Sequence, residues 1–188
     1  MSGRAASTFP AAYRDLPTNR LLAVFGQAPA RVARAIDDLG PAEIGARVIS
    51  GKWTIQEVVC HLADSETCGA LRIRLALAQP GGPLPAYDEK RFAAELAYAS
   101  FDSEGMRETL DLFARLRSVS KRLLARVPAE AWGRTSRHAE FGDVTLRQLL
   151  ELYADHGERH LSQILERRLA LGRPLAPPLE ALLPERLY

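Results

Sequence analysis

Two histidines, His156 and His160, stand four apart in the stretch ELYADHGERHLSQI, residues 151–164. In a helix, that spacing puts both imidazoles on one face, about 5–6 Å apart at Cβ. Paired imidazoles on one face are half of a metal clamp, and a third ligand would have to come from elsewhere in the chain. The same spacing equally suits two polar residues at the edge of a core, so spacing alone leaves both readings open.

The element carrying the pair reads as a long helix from about Thr145 to Leu171, ended by Gly172 and Pro174. Its apolar stripe runs Leu146, Leu150, Tyr153, Leu161, Ile164, with His156 and His160 on one flank. A second long helix covers WTIQEVVCHLADSETCGALRIRLALA, with Thr54 as N-cap and Glu57 completing a capping box. Its stripe is Ile55, Val58, Val59, Leu62, Ile73, Leu77, and His61 sits on a flank in line with Ser65, Cys68 and Arg72. If the two flanks face each other, three imidazoles converge. Three neutral imidazoles suit Zn²⁺, Ni²⁺, Fe²⁺, Mn²⁺ or Co²⁺. Three protein ligands leave positions open for water or substrate, the pattern of a catalytic rather than a closed structural site. A metal there lowers the pKa of a bound water or thiol.

The rest of the chain supplies the frame. Residues 1–18 read as an irregular arm. NRLLAVFGQAPARVARAIDDLG has helical spacing and is expected to stop at Gly40 and Pro41, with Pro29 kinking it or marking a later start. Pro80, Gly81, Gly82, Pro83 and Pro85 form a loop, and DEKRFAAELAYA follows as a short helical piece. A third long helix runs from about Ser103 to Arg126, with Leu110, Phe113, Leu116 and Leu123 on one side. VPAEAWGRTSRHAEFGD reads as a loop, and residues 173–188 as an extended tail. No segment shows strict strand alternation between turn residues. These features predict an all-α fold: a single domain over 1–188, a four-helix bundle whose long connection between the second and third long helices allows a crossover.

Composition narrows the classes. The chain has 188 residues, 47% hydrophobic and 26% charged, as an ordinary globular domain has. A net charge of +2, with arginines scattered among acids, argues against nucleic-acid binding. Cys60 and Cys68 are eight apart in one helix, about 12 Å of rise, too far to pair. No apolar run approaches membrane-spanning length. A cytoplasmic protein with no membrane segment is therefore expected.

GKWTIQEVVCHLADSE resembles the signature of one helix in the DinB superfamily, in which a Trp-Thr/Ser opening leads to His-Leu-x-x-Ser/Asp. HAEFGDVTLRQLLELYADHGERHLSQI is similar to the closing signature of that family, and AYDEKRFAAELAY to the middle segment of its YfiT-like branch of metal-dependent hydrolases. The resemblance spans about Leu21 to Leu165, in the expected order. It implies a four-helix bundle of DinB/YfiT type and one divalent metal held by His61, His156 and His160, with zinc or nickel first and manganese or iron next. It also implies a small-molecule substrate and a homodimer. Relatives include hydrolases and thiol S-transferases or isomerases using a low-molecular-weight thiol such as bacillithiol, mycothiol or glutathione. The function expected is thus metal-dependent hydrolysis or thiol transfer, the alternative being a non-catalytic metal-binding protein of the stress-response or interaction kind.

Several further residues have competing readings. Arg72 is either a cleft cation for an anionic substrate or thiol cofactor, or a solvated helix arginine. Cys68 is either a reactive thiol or, in the favoured reading, a small buried hydrophobe. Cys60 points away from His61. Glu57 belongs in the capping box rather than behind His61, and Asp155 points about 100° from His156. His138 lines the cleft mouth or lies on the surface. Gly157, costly inside a helix, suggests that another helix approaches closely. Trp53 and Trp132 read as packing residues.

Overall fold

The structure, a computed structural model, describes residues 13–174. Most of the expected N-terminal arm (residues 1–12) and of the tail (residues 175–188) therefore lies outside the described residues. The elements are α1 (Thr18–Arg34), α2 (Pro41–Ile44), α3 (Ile55–Ala78), α4 (Glu89–Glu95), a 3₁₀ turn (Tyr98–Ser100), α5 (Ser103–Leu124), a second 3₁₀ turn (Ala129–Gly133), strands β1 (Thr135–His138) and β2 (Gly142–Thr145), and α6 (Leu146–Ala170).

Local chemistry sets the helix ends. Thr54 caps α3 and Thr145 caps α6, each in a reciprocal box with the Glu57 or Gln148 side chain. Asp102 caps α5 by accepting from the Gly105 amide at 2.8 Å. At the far end of α6, Gly172 takes a φ of 70°, and the Arg173 amide reaches back to the Arg168 carbonyl at 2.9 Å, which closes the helix as a Schellman motif does. Pro29 lies inside α1 and does not delay its start. Pro41 does not terminate a helix either: it opens α2 at its first turn, where a missing N–H costs nothing.

The four long helices α1, α3, α5 and α6 form the bundle. Helices α1 and α3 each pack against both α5 and α6, so α1 lies diagonally across from α3 and α5 diagonally across from α6. The long 79–102 connection therefore joins neighbours, and the diagonal crossings fall on the α1–α3 and α5–α6 connections instead. Segment 127–143, expected as a loop, forms the antiparallel β1–β2 hairpin, with Ser136 opposite Val144 and His138 opposite Gly142. The inward positions of β1 are Ser136 and His138, and β2 adds a single buried apolar residue, Val144. Those of β1 are polar, and one apolar residue on β2 makes no alternation, so the pattern that announces a strand is missing. Residues of the long connection join this hairpin: the Leu84 amide bonds the Arg137 carbonyl at 2.8 Å, and the Arg137 amide bonds the Gly82 carbonyl at 3.0 Å.

Two close approaches bring the helices into register. A Cβ on Gly157 of α6 would lie 2.8 Å from the Ala28 Cβ of α1, which confirms why a helix here accepts glycine. A Cβ on Gly69 of α3 would meet the Tyr153 ring at 2.5 Å, so Gly69 lets that ring lie flat against α3. Ala97, at φ 50°, is the one non-glycine described residue with positive φ, a strain of about 1–2 kcal/mol.

Arg117 of α5 is 1% exposed and sits 2.6 Å from Glu66 of α3. Its Nη1 donates to the carbonyls of Phe25 on α1 (3.0 Å) and Tyr153 on α6 (3.2 Å), and its guanidinium lies 4.0 Å over the Phe25 ring. Burial pushes the Glu66 carboxyl up while Arg117 pulls it down. Arg117→Met is expected to lower stability by about 3–5 kcal/mol, because it leaves Glu66 buried without a partner. Adding Glu66→Gln should recover part of that loss. Urea unfolding of the single and double variants checks this, and an additive double variant would contradict it.

Candidate metal centre

The flanks of α3 and α6 do face each other. His61 Nε2 lies 3.0 Å from His156 Nε2, and His160 Nε2 lies 3.1 Å from the same atom. All three ligand atoms fall within 4.8 Å of one another. Nitrogens around a tetrahedral zinc, bound at about 2.0–2.1 Å, stand about 3.3 Å apart, so small adjustments bring this set to bonding geometry. His61 and His160 are buried and His156 half-buried.

The rings are held neutral. Burial, then repulsion from His160 and Arg159, lowers His61 to about 3. Burial lowers His160 to about 4, against a raising hydrogen bond from Gln163. His156 is also held well below the ordinary value, first by burial and then by His160 and His61. Neutral imidazoles whose Nε2 atoms point at one another repel through their lone pairs unless a proton or cation lies among them. That donor chemistry fits a divalent metal.

The Nδ1 atoms are anchored on the other side. His160 Nδ1 donates to Gln163 Oε1 at 3.0 Å, which leaves Nε2 as the free donor atom. His61 Nδ1 is 3.1 Å from the Tyr87 hydroxyl. The Trp53 ring packs 4.9 Å from the His61 ring, and Arg167 of α6 donates to the Trp53 carbonyl at 2.9 Å. Trp53 is thus a wall of the site as well as a packing residue. Glu89, at the start of α4 and 54% exposed, places Oε2 3.9 Å from His61 Nε2, so the cluster meets solvent on this side.

The other candidates fall elsewhere. Arg72 is buried and engaged: it donates twice to the Pro85 carbonyl (3.1 and 2.8 Å) and once to the Tyr153 hydroxyl at 2.9 Å. It braces the long connection against α3 and α6 instead of lying solvated. Burial raises the Cys68 thiol above its usual range and raises Cys60 to about 12, so neither is an activated nucleophile. Glu57 pairs with Arg47 at 2.9 Å, and Asp155 with Arg159 at 2.7 Å. His138 is buried, not superficial, and its Nδ1 accepts from the Glu140 amide at 3.2 Å. Tyr87, Glu89 and Gln163 escaped the sequence reading. Gln163 was recoverable, being three residues beyond His160 on the same face; Tyr87 and Glu89 depend on how a long connection folds back.

A model of the DinB superfamily matches residues 25–164. The chain belongs to the DinB superfamily. It is similar to YfiT of Bacillus subtilis, provisionally named a metal-dependent hydrolase, with 26% identity over 82% of this chain and 85% of YfiT. A relative from Oceanobacillus iheyensis with the same provisional name is 29% identical over 72% of this chain and 77% of its own length. The solved YfiT structure, described as a four-helix bundle of unusual topology, superimposes with a TM-score of 0.77 at 23% identity, covering 92% of this chain and 94% of that one. A mycothiol-dependent maleylpyruvate isomerase shares the fold at a TM-score of 0.66 and 17% identity, covering 81% of this chain and 62% of that one.

This DinB-superfamily cluster has a pH signature. Its histidines have native pKa values below the unfolded value of about 6.5. The unfolded chain therefore binds more protons below that pH, and the metal-free protein should lose stability as pH falls from about 7 to 5.5. The chain has four histidines in all, and burial also raises the carboxyls of Glu66 and Glu158, so a histidine variant is needed to assign the slope. A His61→Leu/His156→Leu variant should show a shallower slope in urea midpoints; an equal slope would place the effect elsewhere.

Proposed function

We propose that this chain is a metal-dependent hydrolase of small molecules, with zinc or nickel held by His61, His156 and His160. The observation that carries this is three neutral imidazoles aiming Nε2 at one point beneath a solvent-exposed carboxylate. The curated relatives' names support the same reading. When bound, a metal there would acidify a water and polarise a substrate carbonyl or phosphoryl oxygen. His160 keeps Nε2 free because Gln163 Oε1 accepts from its Nδ1, and the Tyr87 hydroxyl stands 3.1 Å from Nδ1 of His61. Glu89 stands where it can take the proton that the attacking group gives up. Trp53 and Tyr87 flank the His61 ring, and Glu89 stands at its solvent-facing edge.

Transfer to a low-molecular-weight thiol is the second reading, favoured by the fold shared with the mycothiol-dependent isomerase. Against it, Arg72, the candidate anchor for an anionic thiol cofactor, already has donors committed to Pro85 and Tyr153. Two free thiols suit a reducing cytoplasm. No helix among the described residues is long and apolar enough to cross a membrane. A homodimer is proposed on the family resemblance alone.

Protein purified without added metal or an affinity tag should carry about one divalent ion per chain, as a single three-histidine site holds. His156→Ala/His160→Ala should lose it. Glu89→Gln should keep the metal yet hydrolyse ester, amide or phosphoester probes about 10²-fold more slowly. Turnover that requires added bacillithiol or mycothiol would move the assignment to thiol transfer. Metal without turnover on any probe would favour a metal-holding protein.

A further inference from the structure

Four arginines among the described residues are buried: Arg72, Arg117, Arg167 and Arg168. Three of them pair with a carboxylate, Arg117 with Glu66, Arg167 with Glu166 and Arg168 with Asp38. Arg72 is 7% exposed and pairs with none among the described residues. Its hydrogen bonds go to the Pro85 carbonyl and the Tyr153 hydroxyl, both uncharged. They use three of the five N–H groups of a guanidinium, so two remain. A buried charge without a counter-ion is costly, and every other buried arginine here has one.

His138 has the matching defect. Its Nδ1 accepts from the Glu140 amide at 3.2 Å, so the ring proton sits on Nε2. Nε2 is buried and has no hydrogen-bond partner among the described residues. Burial and then the Arg72 charge hold the ring neutral, which leaves Nε2–H a donor without an acceptor. Ser136, on the same inward face of β1, also has its hydroxyl buried and unpaired. The Tyr153 hydroxyl accepts from Arg72, and its own proton has no acceptor among the described residues.

The backbone brings these groups together. Pro83 pairs with Arg137 in parallel, and the Leu84 amide bonds the Arg137 carbonyl at 2.8 Å. Side chains alternate along a strand, so Leu84 and His138 turn to the face opposite that of Pro83 and Arg137. Leu84 is 5% exposed and packs in one cluster with Ile73 of α3 and Tyr153 of α6. Pro85, whose carbonyl holds Arg72, is the next residue. His138 therefore faces the part of α3 and α6 where Arg72 and Tyr153 lie. Every unpaired group in this set can donate, and one carries a positive charge. Their complement is a small oxyanion.

We propose that Arg72, His138 and Tyr153 form an oxyanion subsite that binds the carboxylate or phosphoryl group of a small-molecule substrate. Arg72 follows His61 on α3 by about 16 Å of rise. Helical side chains lean toward the N-terminus, which carries the guanidinium back toward His61. The Tyr153 ring, whose hydroxyl it holds, has its centroid 6.5 Å from that of His156. A molecule that reaches both places is elongated, with its acid group remote from the bond attacked. This substrate class rests on the reading of the three histidines as the reacting centre; oxyanion binding at Arg72 and His138 does not.

The test uses the metal-free full chain, with phosphate and acetate as probes and acetamide as the uncharged control, at constant ionic strength. Phosphate and acetate should shift the His138 Nε2–H resonance saturably in ¹⁵N NMR, and acetamide should not. The tighter of the two anions tells which acid group the subsite prefers. By calorimetry, His138→Leu should weaken binding of that anion about 10-fold or more, as loss of a hydrogen bond to a charged acceptor does. His138→Gln, which returns an N–H, should recover most of the loss. No saturable shift with either anion, an equal shift with acetamide, or binding that His138→Leu leaves unchanged would overturn the subsite. Zinc uptake is scored separately. A protein that takes zinc but neither anion loses the subsite alone, and one that binds an anion but no zinc keeps the subsite and loses the reaction assigned to the histidines.

Discussion

One guanidinium ties this bundle together. Arg117 projects from α5 into the centre and meets Glu66 of α3, the Phe25 carbonyl of α1 and the Tyr153 carbonyl of α6. The diagonal arrangement of helices needs such a centre: α1 and α3 face each other across the bundle, as do α5 and α6, so apolar contact between neighbours does not by itself fix the opposite pair. A buried charge is costly unless paired and hydrogen-bonded. The arrangement that satisfies Arg117 is one in which all four helices are in register, and slippage of any of them strands a charge. A buried pair of this kind adds less to stability than to uniqueness, and the site requires uniqueness.

The site inherits its geometry from that centre. The Tyr153 carbonyl that Arg117 holds lies one turn before Gly157, and Gly157 lies between the two histidines of α6. The missing Cβ at Gly157 lets Ala28 of α1 close in, while that at Gly69 lets the Tyr153 ring settle on α3. The first seats α6 on α1, and the second brings α6 close to α3, where His61 faces His156. The cost is three imidazoles crowded together, kept neutral by burial and by one another. A fold organised for stability alone would not place three lone pairs in one spot. For the metal site proposed above, such crowding would be preorganisation, with little of the chain left to rearrange on cation binding.

The sequence displayed the frame better than its bracing. The long helices were legible because caps, breakers and apolar periodicity agree within each, as Thr54, Glu57 and Gly172 do. His61, His156 and His160 were legible as flank residues, although only the resemblance made them a set. The hairpin was not legible, because polar Ser136 and His138 fill the inward positions of β1 and Val144 alone is apolar on β2. Arg117 was read past for the opposite reason: an arginine in an amphipathic helix suggests water, and nothing local tells that Glu66 waits across the bundle. Arg72 raised the right suspicion of a purpose, but its partners are a backbone carbonyl and a phenol. Long-range polar pairing has no periodicity to betray it.

The division of labour between bundle and connection bears on how such a protein gains a particular chemistry. All three histidines come from the two long helices that Arg117 holds in register. Tyr87, Glu89 and Tyr98 all come from the 79–102 connection, which is stitched to the hairpin at Gly82 and Leu84 and braced by Arg72 at Pro85. The bundle therefore fixes where the three imidazoles meet, while the connection supplies the group behind His61 and the carboxylate in front of it. A substitution at an exposed position of the connection, such as Glu89, can change proton transfer without disturbing the core, whereas Leu84 and Tyr98 belong to the core themselves. The helices set where the three imidazoles converge, and the chain that folds over them sets what reaches that point.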